Sequence, residues 1–223
     1  MTTVTRTLAA FAAKHRYEQL PEPVVAFTRT AVLNVLAAAV AGCRTRIGGL
    51  HVALAQETGG GRDESTIIGG GRASATMATY ANSNLAFALD YEDVVLYAIH
   101  AGPIVVPAVL AMAERTGASG REVINAIVLG TEIGARIGRG MQPSAERGSQ
   151  VWGQQYTPFA ACVGAGLILG LDTEQMDAAF GITGTYATVP SAYKYFGLVA
   201  ETRPMREVKL GWGWMAMAGA FGA

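Results

Sequence analysis

Gly130, Gly134 and Gly138 stand four residues apart within one continuous helical stretch, and Gly166 and Gly170 repeat the interval further on. On a helix, residues at this spacing fall along one face, and their missing side chains let a neighbouring helix approach closely. Packed helices are therefore the expected architecture. The rest of the chain fits that expectation: 223 residues suffice for one well-filled core, with 51% hydrophobic and only 15% charged residues. Its 17 basic and 17 acidic side chains cancel, and no basic run is present. Neither nucleic acid nor an anionic membrane surface is an expected partner.

The longest uninterrupted apolar run, residues 159–171, has 13 residues, short of the roughly 20 that cross a bilayer, and reads as a buried helix. Near the N-terminus, residues 8–13 are apolar, but Lys14, His15 and Arg16 interrupt them before they reach the length of a secretory signal core. A cytoplasmic location is expected. Cys43 and Cys162, the only cysteines, lie in apolar small-residue segments and are expected to be buried thiols.

Helical patterns cover residues 4–14, 24–40 (after Pro21 and Pro23, with Gly42 as a stop), 50–57, 74–88 and 104–116. Gly117 ends the last of these, and Ser119 with Glu122 has the spacing of a capping box for the glycine-rich helix that follows. Further helices are expected over residues 156–169, after the cap-like opening Asp172-Thr-Glu-Gln175, and from about Trp212 to the end. Residues 143–153 read as a loop and 183–204 as a surface segment. Between two copies of Gly-Gly-Gly-Arg, Thr66, Ile67 and Ile68 suggest a small hairpin or extended link. Neither triplet has the flanking residues of a phosphate-binding loop. The fold class expected is all-α, an Ala/Gly-rich multi-helix domain over residues 1–223 with at most a short β-hairpin.

The chemistry concentrates in Leu89-Asp90-Tyr91-Glu92-Asp93, followed by His100. Asp90 falls near a helix C-terminus, where the dipole disfavours negative charge, so its placement calls for a partner or a site. A carboxylate and an imidazole that titrates near neutrality are the minimum for removing a proton beside a carboxyl group. Solvated or structural side chains are the plainer reading of the same residues. The histidines His15, His51 and His100 are isolated and the cysteines far apart, so neither a metal site nor a cofactor is expected. Without a Gly-x-Ser-x-Gly element, serine hydrolysis is not expected either.

Leu89 to Asp93, His100, Ala113-Glu114, Gly117 to Gly120, Gly130-Thr131-Glu132 with Arg136, and the run from Gly164 to Asp172 follow one another in an order and spacing that resembles the MmgE/PrpD family, the 2-methylcitrate dehydratase and cis-aconitate decarboxylase group. The similarity spans roughly residues 20 to 223. It implies a large helical domain whose smaller lid domain, absent from these residues, closes the active site. It also implies Asp90 and His100 as catalytic positions, a small carboxylate substrate and a homodimer.

The carbanion left by such chemistry needs cationic or hydrogen-bonding groups around it, for which Lys194, Arg203, Arg206 and Lys209 are candidate cations and Gln155 and Tyr156 candidate hydrogen-bonding groups. The resemblance implies Lys209 as the favoured substrate-binding residue, because it lies beside the family's lysine position. Val94 stands where family members often have Thr, and the segment of Gln155 and Tyr156 lacks the family's His. Two functions are thus carried forward. One is a lyase or isomerase, dehydratase-like, acting on a small (poly)carboxylate. The other is a non-catalytic or split-enzyme helical module requiring a separate lid partner.

Overall fold

The computed structural model describes residues 3–59, 61–95, 100–142, 144, 146, 156–187 and 212–223. Local chain chemistry sets most helix starts. Thr3 caps α1 (Val4–Lys14) by accepting the Arg6 amide, Pro23 sits in the first turn of α2 (Glu22–Gly42), and Thr45 accepts the Gly48 amide at the start of α3 (Arg46–Thr58). Strands β1 (Ser65–Ile67) and β2 (Gly71–Ala73) form the expected hairpin, antiparallel with Ser65 opposite Ala73. Ser74 caps α4 (Ala75–Phe87). The all-α expectation holds, with this two-stranded sheet as the only one among the described residues.

Helix α5 (Ala101–Thr116) begins one turn earlier than its pattern suggested, because Pro103 lies in the first turn, where no amide donor is needed. Gly117 ends it in the left-handed conformation, at φ 72°. Both reciprocal capping boxes form: Ser119 with Glu122 for α6 (Gly120–Gly140), and Asp172 with Gln175 for α8 (Thr173–Tyr186). Between them lies α7 (Thr157–Ile168), and the described chain closes with α9 (Trp212–Gly222). The surface segment expected from residue 183 is corrected at its start: Thr183 to Tyr186 continue α8, and Thr183 is fully buried.

The core forms where small residues let helices touch backbone to backbone. A Cβ on Gly130 of α6 would lie 2.8 Å from the Ala160 carbonyl oxygen of α7, and one on Gly219 of α9 would overlap the Pro158 carbonyl. Gly42 of α2 meets the Leu85 carbonyl of α4 in the same way. Helix α9 is packed into this core through Trp212, Met215, Ala216 and Ala220, while Trp214 and Phe221 remain exposed.

Two further details bear on the sequence expectations. Both cysteines are free, Cys162 buried and Cys43 partly so. Helix α2 is long and apolar enough to cross a membrane by length and composition alone. Its buried face, with Val35 and Ala39 in the main core, is the feature it shares with core helices of globular domains; the opposite face carries exposed Leu33 and Val40.

Candidate active site

The acidic motif occupies the turn between α4 and α5. After Phe87, the Asp90 amide donates to the Phe87 carbonyl at 3.2 Å, and Asp90 takes a left-handed backbone with φ 58°. Asp is among the few non-glycine residues that tolerate this conformation. From α2, the Asn34 side-chain Nδ2 donates to the Tyr91 carbonyl at 3.4 Å and ties the turn to the body of the domain.

This turn lowers Glu92 into the interior beside His100, the residue that precedes α5. Glu92 Oε1 lies 2.8 Å from His100 Nδ1; the Glu92 side chain is 1% exposed and that of His100 24%. The imidazole is walled by Phe87, edge-on at 5.4 Å between ring centres, and by Trp212 at 5.2 Å. Trp212 is placed there by α9, whose start is held by buried Asn84: its side-chain oxygen accepts the Gly213 amide at 3.2 Å.

Asp90 completes the group. One donor atom each from Asp90, Glu92 and His100 lies within 4.8 Å of the others. Asp90 and His100 therefore converge. The two oxygens and one nitrogen are also a donor set that a divalent cation can use. That use competes with the observed hydrogen bond if Nδ1 is the ligand, because a nitrogen that donates a proton to Glu92 cannot coordinate an ion.

Asp93 fills the space at the start of α5. Its Oδ1 occupies the position that a Cβ on Gly102 would need, so a larger residue there would have to displace the carboxyl. Burial pushes the Asp93 carboxyl above its ordinary range; the backbone amides of Asp93 and Gly102 oppose the shift, the nearby Glu92 charge adds to it and His100 opposes it. A groove of about 400 Å³ reaches Asp93 and Gly102 between walls that include Val24, Phe27, Val106 and Ile127. Asp90 and His100 are not among its lining residues.

Of the other sequence candidates, Tyr156 alone lies among the described residues. Tyr156 is buried, its ring lies against the α-carbon of Gly138, and burial pushes its phenol up to about 12. Lys209, Gln155, Lys194, Arg203 and Arg206 lie outside the described residues. Glu92 is the participant that sequence reasoning did not single out. Its position within the Leu89 to Asp93 motif was visible, but three acidic side chains in an irregular turn leave open which one faces inward. Nothing in the sequence pointed to Phe87 or Trp212 as walls of the site.

Comparison with known proteins extends the same frame. The MmgE/PrpD N-terminal domain matches residues 6–223. A protein named cis-aconitate decarboxylase from Aspergillus terreus is 28% identical over 211 residues, which cover 90% of this chain and 42% of that protein. The protein of the same name from Aspergillus terreus strain NIH 2624 / FGSC A1156 gives the same values. The chain thus spans about two fifths of the length of the curated relatives it matches.

Proposed function

The chain belongs to the MmgE/PrpD family, and from that premise we propose that it acts in a lyase or isomerase that moves protons on a small (poly)carboxylate, in a dehydratase-like manner. Asp90 and His100 form the acid/base pair. The observation that carries this reading is the convergence of Asp90, Glu92 and His100 within 4.8 Å, at positions where the family resemblance expects catalysis. Similarity to a cis-aconitate decarboxylase supports the carboxylate substrate class.

A substrate carrying several negative charges is repelled by the two carboxylates of this cluster. Binding therefore requires cations brought from elsewhere, and Lys209 is proposed as the anion anchor, with Gln155 as a hydrogen-bonding neighbour; Tyr156, buried against Gly138, is not proposed to touch the substrate. A lid, in the same polypeptide or in a partner, would exclude water and strengthen those contacts. A cytoplasmic homodimer is proposed as the working form, joined through the exposed face of α2 at Leu33 and Val40.

A second reading, a non-catalytic or split-enzyme module, is favoured by Val94. This apolar residue is 55% exposed beside the acidic turn, where family members often carry a Thr.

Thermal denaturation with cis-aconitate, 2-methylcitrate and related polycarboxylates separates the two. Ligand at 100 times its Kd stabilises the folded chain by about 2.7 kcal/mol, so a rise in Tm for at least one compound is expected. No rise with any of them, followed by no turnover when a lid domain is supplied, would reject the enzymatic reading.

A further inference from the structure

We propose that Glu92 is a positioning residue that fixes His100 as the Nδ1–H tautomer and leaves Nε2 as the proton acceptor of the site. The first half stands on geometry alone; the second rests on the acid/base reading of Asp90 and His100.

An ionised carboxylate only accepts hydrogen bonds, so the proton between Glu92 Oε1 and His100 Nδ1 belongs to the ring nitrogen. Rotating the imidazole by half a turn about its Cβ–Cγ bond would bring a carbon to the same place. At the 2.8 Å observed, a carbon would be well inside the roughly 3.3–3.6 Å of a C–H···O contact. The carboxylate thus selects one ring orientation as well as one tautomer. The aromatic walls of Phe87 and Trp212 hold the plane of the ring.

Backbone anchoring points the same way. Glu92 lies between Tyr91, tied to Asn34 of α2, and Asp93, wedged against the glycine at position 102. His100 opens the helix that Asp93 abuts. A shift of Glu92 away from the imidazole would disturb both neighbours. Its side chain is 1% exposed, and a carboxylate so buried is retained at a considerable desolvation cost unless a partner compensates it. His100 is that partner.

In the reaction, the C–H bond next to the substrate carboxyl breaks and an N–H bond forms at His100 Nε2. The electron pair stays on the substrate carbon, delocalised into the adjoining carboxyl group. The ring becomes an imidazolium whose Nδ1–H faces the Glu92 carboxylate, which lowers the energy of the charge created in that step. Asp90 is then the group placed to exchange a proton at the neighbouring substrate atom.

The test is nitrogen NMR on the native chain labelled at histidine, titrated upward in pH until each ring is neutral. The three histidines are assigned by the signal lost in His100→Gln. A neutral histidine free in water prefers the Nε2–H form, so a dominant Nδ1–H form at His100 supports the assignment and a dominant Nε2–H form overturns it.

Glu92→Leu is expected to return the ring to the Nε2–H form and to lower kcat by at least tenfold with little change in KM. Glu92→Asp should restore part of both. A native tautomer retained in Glu92→Leu also overturns the proposal. The tautomer needs no substrate, so failure of every polycarboxylate to react would count against the functional reading, whereas the NMR result judges Glu92 separately.

Discussion

The contacts that α7 makes with α6 and α9, and the turn that links α4 to α5, are built by opposite rules. In the first region, glycines and alanines remove side chains so that backbones meet, and the filler is apolar. In the second, a left-handed Asp90, a buried Glu92 with its Oε2 lacking a hydrogen-bond partner among the described residues, and a desolvated Asp93 share a few residues of irregular chain. Close packing favours the folded state, whereas buried carboxylates oppose it unless they are paired. The difference teaches that close packing and buried charge are separated in this domain: one region holds the fold, and the other holds charge where solvent would otherwise take it.

That separation can be broken most sharply at His100. His100→Gln is expected to lower turnover of any responsive polycarboxylate by about 10²–10⁴-fold while the chain still melts cooperatively, as steady-state kinetics and calorimetry would show together. Unchanged turnover would remove the imidazole from the chemistry. Gly219→Ala is the converse test. Its added methyl meets the backbone of α7 rather than a movable side chain, so a loss of about 3 kcal/mol is expected, seen as a fall in Tm. A tolerated Gly219→Ala would mean that the helix contact is looser than the geometry indicates.

Asp90 sharpens the comparison because its backbone and its carboxyl serve different ends. Asp90→Ala should cost about 1 kcal/mol for a left-handed alanine, and Asp90→Gly distinctly less, with activity lost in both; chemical denaturation and kinetics on the pair distinguish the roles. Asp93 supplies a pH signature. Its folded carboxyl titrates above the unfolded one, so the folded chain binds the proton more readily, and stability falls as pH rises from the ordinary carboxylate range, about 4, through the raised one. Asp93→Asn should therefore melt higher than the native chain at neutral pH, with the gap closing as pH falls through that window.

The smallest effect on stability is expected at the exposed face of α2. Leu33→Ser with Val40→Ser should change unfolding free energy by no more than about 0.5 kcal/mol per site, yet turn the proposed dimer into monomer in sedimentation equilibrium. A dimer that survives both substitutions uses another surface.

Much of the framework was legible because its signals are short-range. Ser119 with Glu122 and Asp172 with Gln175 cap helices through bonds that span three residues, and Gly117 stops α5 through its own backbone. Not every short-range signal was read, as α3 shows. It starts at Arg46 rather than near Leu50, because Thr45 caps it just after α2 has crossed α4 at Gly42. The motif from Asp90 to His100 was legible as a place where chemistry could occur, but not as an arrangement.

By itself the sequence determined the helical class, most helix ends, the hairpin and the segment that bears the acidic residues and His100. These follow from periodicity and from hydrogen bonds between near neighbours, which any folded form of this chain must satisfy. Only the tertiary structure decided that Glu92 bonds the imidazole, that Phe87 and Trp212 enclose it, and that α9 lies in the core. Those outcomes depend on which surfaces meet when helices distant along the chain pack together, a geometry that no local interaction encodes.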